Sequence, residues 1–285
     1  MTVPDGQSAA PGDISRATTA DSGPLLNLST LAGWNQLEQD WLRLLEYFPD
    51  GCLLMRAAGK VVASATIMPY LEKGAWLGMV LVHPESRGKG CGKAIVSAAL
   101  ELAAKLGFSW VGLDATEAGR IVYNKLGFSD CFPVQRWRTI GNGKCGGRQM
   151  ETPSSQGTLV GHNLGSFEPS PADRLWIEHL LQEKGTSLLT RSGSYALLRP
   201  GREAWHAGPV KSGTADDFAR LLNKACALCG EDQIYLDCFS HPGLDRALES
   251  AGFEPFRHLT RMVLGRDALH EPEVPWEIYK GFEWG

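Results

Sequence analysis

The chain has 285 residues, 43% hydrophobic and 21% charged, with a formal net charge of −4. That length points to about two domains, and the mild acidity excludes the basic face of a general nucleic-acid binder, so an anion site must be local. No run reaches the roughly 18 apolar residues that span a bilayer. Seven cysteines scattered over so long a chain do not make a disulfide framework, so a reduced, soluble, cytoplasmic protein is expected.

Residues 1–13 are rich in Pro, Gly, Ser and Ala, lack the apolar stretch of a secretory signal and read as a disordered tail. Residues 34–47 read as a helix, because Trp34, Leu37, Trp41, Leu44 and Leu45 recur at spacings of three and four. Strands are predicted at 52–55 and 61–68, around a turn at Ala58-Gly59, and at 76–82 (WLGMVLV). A helix follows at 92–106, with Ile95, Ala98, Leu102 and Leu106 on one face and Gly107 as its stop. A strand at 109–113 and a short helix at 118–126, closed by Gly127, complete this part. GNGKCGG (141–147) and TPSSQG (152–157) have linker composition. The organisation predicted is a domain at 14–145, a linker at 146–157, a second domain at 158–275 and a tail at 276–285.

The second domain echoes the first. GLDATEAGRIVYNKLGF (112–128) and YLDCFSHPGLDRALESAGF (235–253) both run Leu-Asp, helix, Gly-Phe, and their Leu-Asp pairs lie 123 positions apart at Leu113 and Leu236. Strands followed by strand–helix–strand–helix make each domain a mixed α/β sheet.

The segment HPESRGKGCGKA (83–94) links a strand to a helix. Glycines let the backbone approach a ligand, and the free N–H groups of a helix start favour an anion. Arg87, Lys89 and Lys93 add charge, so a phosphate or diphosphate is the expected guest. A Walker A loop is excluded by Arg87, where a glycine is needed, and by Ala94, where a hydroxyl is needed; a dinucleotide fingerprint fails at Lys93. The pattern that fits is R-x-x-G-x-G at Arg87, Gly90 and Gly92.

VHPESRGKGCGKAIVSAAL resembles the acyl-CoA pyrophosphate loop of the GNAT acetyltransferase superfamily, and LDATEAGRIVYNKLGF resembles the strand and helix that follow it there. LAGWNQ and the LDAT-x-AGR-x-x-Y variant are similar to a subgroup with a second, GNAT-like domain at the C-terminus. The resemblance implies tandem GNAT-like domains, the first with an intact loop and the second degenerate. It implies acetyl-CoA as co-substrate, with its diphosphate on Arg87, Gly88, Lys89, Gly90, Cys91, Gly92 and Lys93, and its pantetheine along Val80, Leu81 and Val82. Thr116 joins those contacts.

Tyr123 matches the family tyrosine expected to protonate the departing CoA thiolate; its alternative role is packing on the sheet. No acid stands on WLGMVLV, so the general base is open. Asp114 is the candidate carried forward, with Glu117 and His83 behind it, although Asp114 could instead cap the next helix. Trp34 and Asn35 fall where the family covers its acceptor.

The implied activity is direct transfer, in a ternary complex, to an amine of a small molecule or a protein. The alternative is a non-catalytic acyl-CoA sensor or assembly protein. No nucleic-acid or membrane partner is expected, and a homodimer is left open.

Cys226, Cys229, Cys238 and His241 have zinc-like chemistry, but the first two fall inside a helical pattern, and no metal is expected. Cys91 reads as filler. In the second domain a strand at 204–210 leads into KSGTADDF, where Asp216 and Asp217 would repel phosphate, so that domain is not expected to bind CoA.

Overall fold

The computed structural model describes residues 11–139, 171–266, 269, 277, 278 and 281. Residues 1–10 of the expected tail and the whole expected linker at 146–157 lie outside these. By compactness the chain forms two units that are not contiguous in sequence. Among the described residues, unit 1 holds 11–132, 259–266 and 269; unit 2 holds 133–139, 171–258, 277, 278 and 281.

Unit 1 runs β1 (Asp13–Arg16), α1 (Ser22–Leu31), α2 (Glu38–Tyr47), β2 (Cys52–Ala57), β3 (Lys60–Tyr70), β4 (Gly74–Val82), α3 (Cys91–Lys105), β5 (Trp110–Ala115) and α4 (Glu117–Lys125). β6 (Ser129–Thr139) begins in unit 1 and its second half belongs to unit 2. Unit 2 continues with α5 (Pro171–Leu181), β7 (Ser187–Arg191), β8 (Ser194–Arg199), β9 (Trp205–Lys211), α6 (Ala215–Cys229), β10 (Ile234–Phe239) and α7 (Pro242–Ser250). β11 (Phe253–Leu264) starts in unit 2, and its residues from Leu259 onward belong to unit 1; β12 (Glu277–Ile278) is in unit 2.

The sheet of unit 1 has the order β1-β2-β3-β4-β5 followed by the end of β11, antiparallel throughout except for β4 and β5. Alternation sends Ala63, Ala65, Ile67, Ala75, Leu77, Val111, Leu113 and Ala115 to the face that meets Ile95, Val96, Ala99 and Ala103 of α3. Ser64, Thr66 and Met68 therefore face the other way, and α1 lies against β3 and β4. Both predicted glycine stops are seen, with φ of +84° at Gly107 and +91° at Gly127.

Two expectations are corrected here. The helix read over 34–47 begins only at Glu38. Residues 34–37 form a link in which Trp34 N–H donates to Ser29 O (2.9 Å) and Leu37 N–H donates to Asp40 Oδ2 (2.7 Å). Asn35 and Gln36 are buried in this link, so the rhythm of buried positions runs on past the start of the helix. In addition, α1 was not predicted: SGPLLNLSTL looks like a loop, yet Pro24 sits in the first turn, where no N–H is needed, and Leu25 and Leu28 are buried.

Unit 2 repeats the plan. Its order is β7-β8-β9-β10 and then the second half of β6, with β9 and β10 parallel. Glu277–Ile278, inside the stretch read as a tail, is strand β12, paired antiparallel with Lys211 and Val210 of β9. Among the described residues no helix is long and apolar enough to cross a membrane.

Candidate active site

The site is built where β4 leaves its neighbours. β4 and β5 pair only at Gly74↔Trp110, Ala75↔Val111 and Trp76↔Gly112. Beyond Trp76, among the described residues, no strand lies beside the edge of β4 toward β5, which leaves backbone groups of Leu77 to Val82 without a strand partner on that side. On the other edge, Thr66 pairs with Gly78 and Ser64 with Leu81, so Met79 and Val80 together oppose Ala65. This is a β-bulge, and Met79 has φ +48°, a region that costs a non-glycine residue about 1 kcal/mol or more. Ser64 Oγ donates to Met79 O at 2.8 Å inside the core.

The loop follows at once. A short 3₁₀ turn (Pro84–Ser86) is started by His83, whose Nδ1 accepts from Glu85 N–H (3.3 Å). The His83 considered as a base is thus a turn cap. Arg87 N–H is directed to Pro84 O (3.3 Å), and its side-chain Nε donates to Val82 O (3.2 Å). Gly88 and Gly90 have φ of +71° and +84°, with open space where a Cβ would stand. Gly90 is the N-cap of α3, and the first intrahelical bond runs from Ala94 N–H to Gly90 O (3.0 Å). The N–H groups of Cys91, Gly92 and Lys93 precede that bond, so no carbonyl of the helix can accept from them. Lys89 and Lys93 are exposed, while the Cys91 side chain is buried. Free amides, two left-handed glycines and the positive end of α3 make this loop favourable to an anion.

Tyr123 lies on α4, against Phe128 (ring centroids 5.6 Å apart, 63°) and the core on the α3 side. Val80 and Val82 border the same core. Burial pushes the Tyr123 phenol well above the usual tyrosine range, so it holds its proton at any working pH. Burial alone lifts the Cys52 thiol to about 12, which shows how strongly this interior penalises a thiolate.

Thr116 and Asp114 are each engaged by neighbours in the structure. The cap of α4 is Thr116, whose Oγ1 accepts from Gly119 N–H at 3.2 Å. Asp114 does not cap. Its two carboxylate oxygens accept from Arg261 Nε and Nη2, both at 2.9 Å, and neither side chain is appreciably exposed. Arg261 also lies over the rings of Trp76 (4.6 Å) and Phe132 (5.6 Å). A buried carboxylate held bidentately by a guanidinium is a poor base. Glu117 is an exposed first-turn charge of α4. Trp34 is half-buried and Asn35 buried in the link between α1 and α2.

Sequence reasoning missed Ser64, Met79 and Arg261. The first two sit inside continuous apolar runs that carry no sign of a bulge, and Arg261 lies 147 positions from its partner. Among the described residues no three His, Cys, Asp or Glu side chains cluster as a metal site. His241 caps α7 through Gly243 N–H (3.1 Å).

A parted pair of parallel strands, a bulge at the parting and a loop suited to an anion after it are what the site presents. Residues 25–128 match the model of the acetyltransferase (GNAT) family, and residues 172–275 match a second acetyltransferase (GNAT) domain model. The chain belongs to the GNAT family of N-acetyltransferases, with two such domains in tandem. It is 24% identical over 254 residues to the holothin acyltransferase of Pseudoalteromonas sp. (strain SANK 73390), covering 84% of this chain and 83% of the relative. A candidate acetyltransferase of Pyrococcus horikoshii, known from a crystal structure, has the same fold, with TM-score 0.75, 18% identity and 99% of each chain covered. The GCN5-related N-acetyltransferase of Sphaerobacter thermophilus matches with TM-score 0.61 and 16% identity over 94% of this chain and 98% of its own.

Proposed function

We propose that unit 1 binds acetyl-CoA and transfers its acetyl group directly to an amine in a ternary complex. The observation that carries this is the junction of the parted β4 edge with the loop from Gly88 to Lys93. The loop amides, with Arg87, Lys89 and Lys93, hold the diphosphate, and the open edge at Val80, Leu81 and Val82 holds the pantetheine arm.

The acceptor nitrogen attacks the thioester carbon. A C–N bond forms, the carbonyl π pair moves onto oxygen, and that pair returns as the C–S bond breaks with its electrons on sulfur. Tyr123 delivers its proton to that sulfur. Its raised pKa makes it a weaker acid, but burial raises a thiol as well, as it does elsewhere in the unit at Cys52. Asp114 takes no part: the proton of the acceptor passes to water, which suits an amine with a pKa near 8 better than a lysine near 10.4.

Trp34 and Asn35 contact the acceptor, an amine on a small molecule or a protein. The named relative acts on holothin, which supports a small-molecule acceptor. Six free cysteines among the described residues support a reducing, cytoplasmic setting. Unit 2 holds no CoA.

Calorimetry with CoA and with acetyl-CoA, followed by CoA release in the presence of an amine panel that includes holothin, tests the proposal. One CoA per chain and release with at least one amine are expected. Absence of CoA binding overturns it; binding without release on any amine overturns the catalytic half.

A further inference from the structure

We infer that Ser64 is a positioning residue that turns the Val80 N–H into the parting of β4 and β5, to receive the thioester oxygen. This rests on the function proposed above and names the donor that the reaction needs.

The argument is one of peptide geometry. A trans peptide is planar, so the carbonyl of Met79 and the N–H of Val80 point in opposite directions. Ser64 stands on β3, and its hydroxyl holds Met79 O at 2.8 Å. The Val80 N–H therefore points away from β3, toward the side where β5 has already departed after Trp76↔Gly112. A donor fixed before the reaction, at a water-poor position, is what stabilises charge developing on a carbonyl oxygen.

Met79 is held with φ +48°, a conformation that would relax unless something else fixed it. Ser64 is fully buried, and its hydroxyl is the group in place to do so.

Unit 2 supplies an internal control. At the corresponding place its β8–β9 pair also sets two residues against one, without a positive φ: Ala196 pairs with Val210 and Leu198 with Ala207, so Gly208 and Pro209 together oppose Leu197. The position of Ser64 is taken by Ala196, and that of Val80 by Pro209, which has no N–H. The latch, the donor and the positive φ are absent together in the unit assigned no CoA, while the two-against-one register remains. A bulge kept only for packing would not require both changes.

The test compares wild type with Ser64→Ala. CoA, which has no thioester carbonyl, should bind both equally by calorimetry. The preference of wild type for acetyl-CoA over CoA should disappear in Ser64→Ala, and kcat should fall by about 10- to 100-fold. Thr66→Val is the control: Thr66 is on the same strand and face, and its buried hydroxyl has no hydrogen-bond partner among the described residues. Equal losses in both variants, or wild-type turnover with an unchanged acetyl-CoA to CoA ratio in Ser64→Ala, overturn the latch while leaving the proposed function standing. Wild type that fails to bind CoA overturns both. If Ser64→Ala does not fold, Ser64→Cys, with similar volume and a weaker donor, should show the same loss of preference.

Discussion

The two units share a scaffold and differ at the places where a donor would sit. In unit 1 the link from β4 to α3 spans residues 83–90, with left-handed glycines and no acid in the first turn of the helix. In unit 2 the link from β9 to α6 is only Ser212, Gly213 and Thr214. There Thr214 Oγ1 accepts from Asp217 N–H (3.1 Å), and Asp216 and Asp217 occupy the first turn. The helix end that has no side-chain cap in unit 1 is satisfied in unit 2 by its own side chains and carboxylates.

The parting is answered differently as well. β9 and β10 pair only at Ile234↔Trp205 and Tyr235↔His206, so they separate as β4 and β5 do. Into that opening comes β12, paired to β9 and lying beside β10, with Ile278 only 1% exposed. Unit 2 fills with its own chain a parting that, among the described residues, has no such strand in unit 1.

One device is kept in both. In unit 1, Asp114 of β5 takes a two-bond fork from Arg261 of β11 at directly opposed positions. In unit 2, Asp237 of β10 takes the same fork from Arg136 of β6, at 2.7 Å for both bonds, again directly opposed. Each Asp follows the leucine of the echoed Leu-Asp pair. What recurs is a cross-strand ion pair at opposed positions, and what differs lies where a donor would sit.

The largest effect should come from breaking the shared device. Arg261→Met and Arg136→Met each take the guanidinium away from a buried carboxylate, at a cost of about 3–5 kcal/mol. Denaturant unfolding should show similar losses for the two. A loss confined to Arg261→Met would mean that the forks are not equivalent.

Next in size is the reaction itself. Tyr123→Phe should lower kcat by about 100-fold with acetyl-CoA affinity almost unchanged, whereas the residue at the echoed position, Leu248, is buried and has no proton to give. Full activity in Tyr123→Phe would return that tyrosine to a packing role.

Smaller again is the effect of giving unit 1 the acids of unit 2. The double variant Gly92→Asp with Lys93→Asp copies the first turn of α6 onto α3. At about 1 kcal/mol for each charge placed at a helix start, CoA should bind about 30-fold more weakly. The helix should not be destabilised, since acids suit its N-terminus, so calorimetry and thermal melting should move independently. Unchanged CoA affinity would mean that the diphosphate lies elsewhere.

Much of this contrast was legible in the sequence, and the reason is range. The loop, its glycines, the α3 face and the strand–helix echo are local patterns, each within about 20 residues, where periodicity and turn chemistry act. The acids of α6 were readable for the same reason. The strand halves of β6 and β11 assigned to the other unit were not, because their partners lie 101 and 147 positions away and leave no local period. Nor was the bulge. WLGMVLV is apolar on both faces, so a slip of one residue costs no visible alternation, and Ser64 reads as one small residue in a buried run. Asp114 shows the same limit: an acid before a helix suggests a cap, and only the register with Arg261 shows where its oxygens go.

The finest probe of the comparison is acid. Burial by itself would raise the pKa of Asp237, but the charge and hydrogen bonds of Arg136, with His206 at 3.3 Å, outweigh it and hold the carboxyl well below the usual range. A carboxyl with a lower pKa folded than unfolded binds protons more readily in the unfolded chain. Its contribution to stability is then complete above the unfolded value of about 3.9 and is lost as pH falls below that toward the folded pKa. Hydrogen exchange at the β10 amides, followed from pH 6 to pH 3 and corrected for intrinsic rates, should show protection falling only in the lower part of that range. Protection that already falls between pH 6 and pH 5 would mean that Asp237 is not the titrating group, and that the fork in unit 2 owes its strength to something other than its charge.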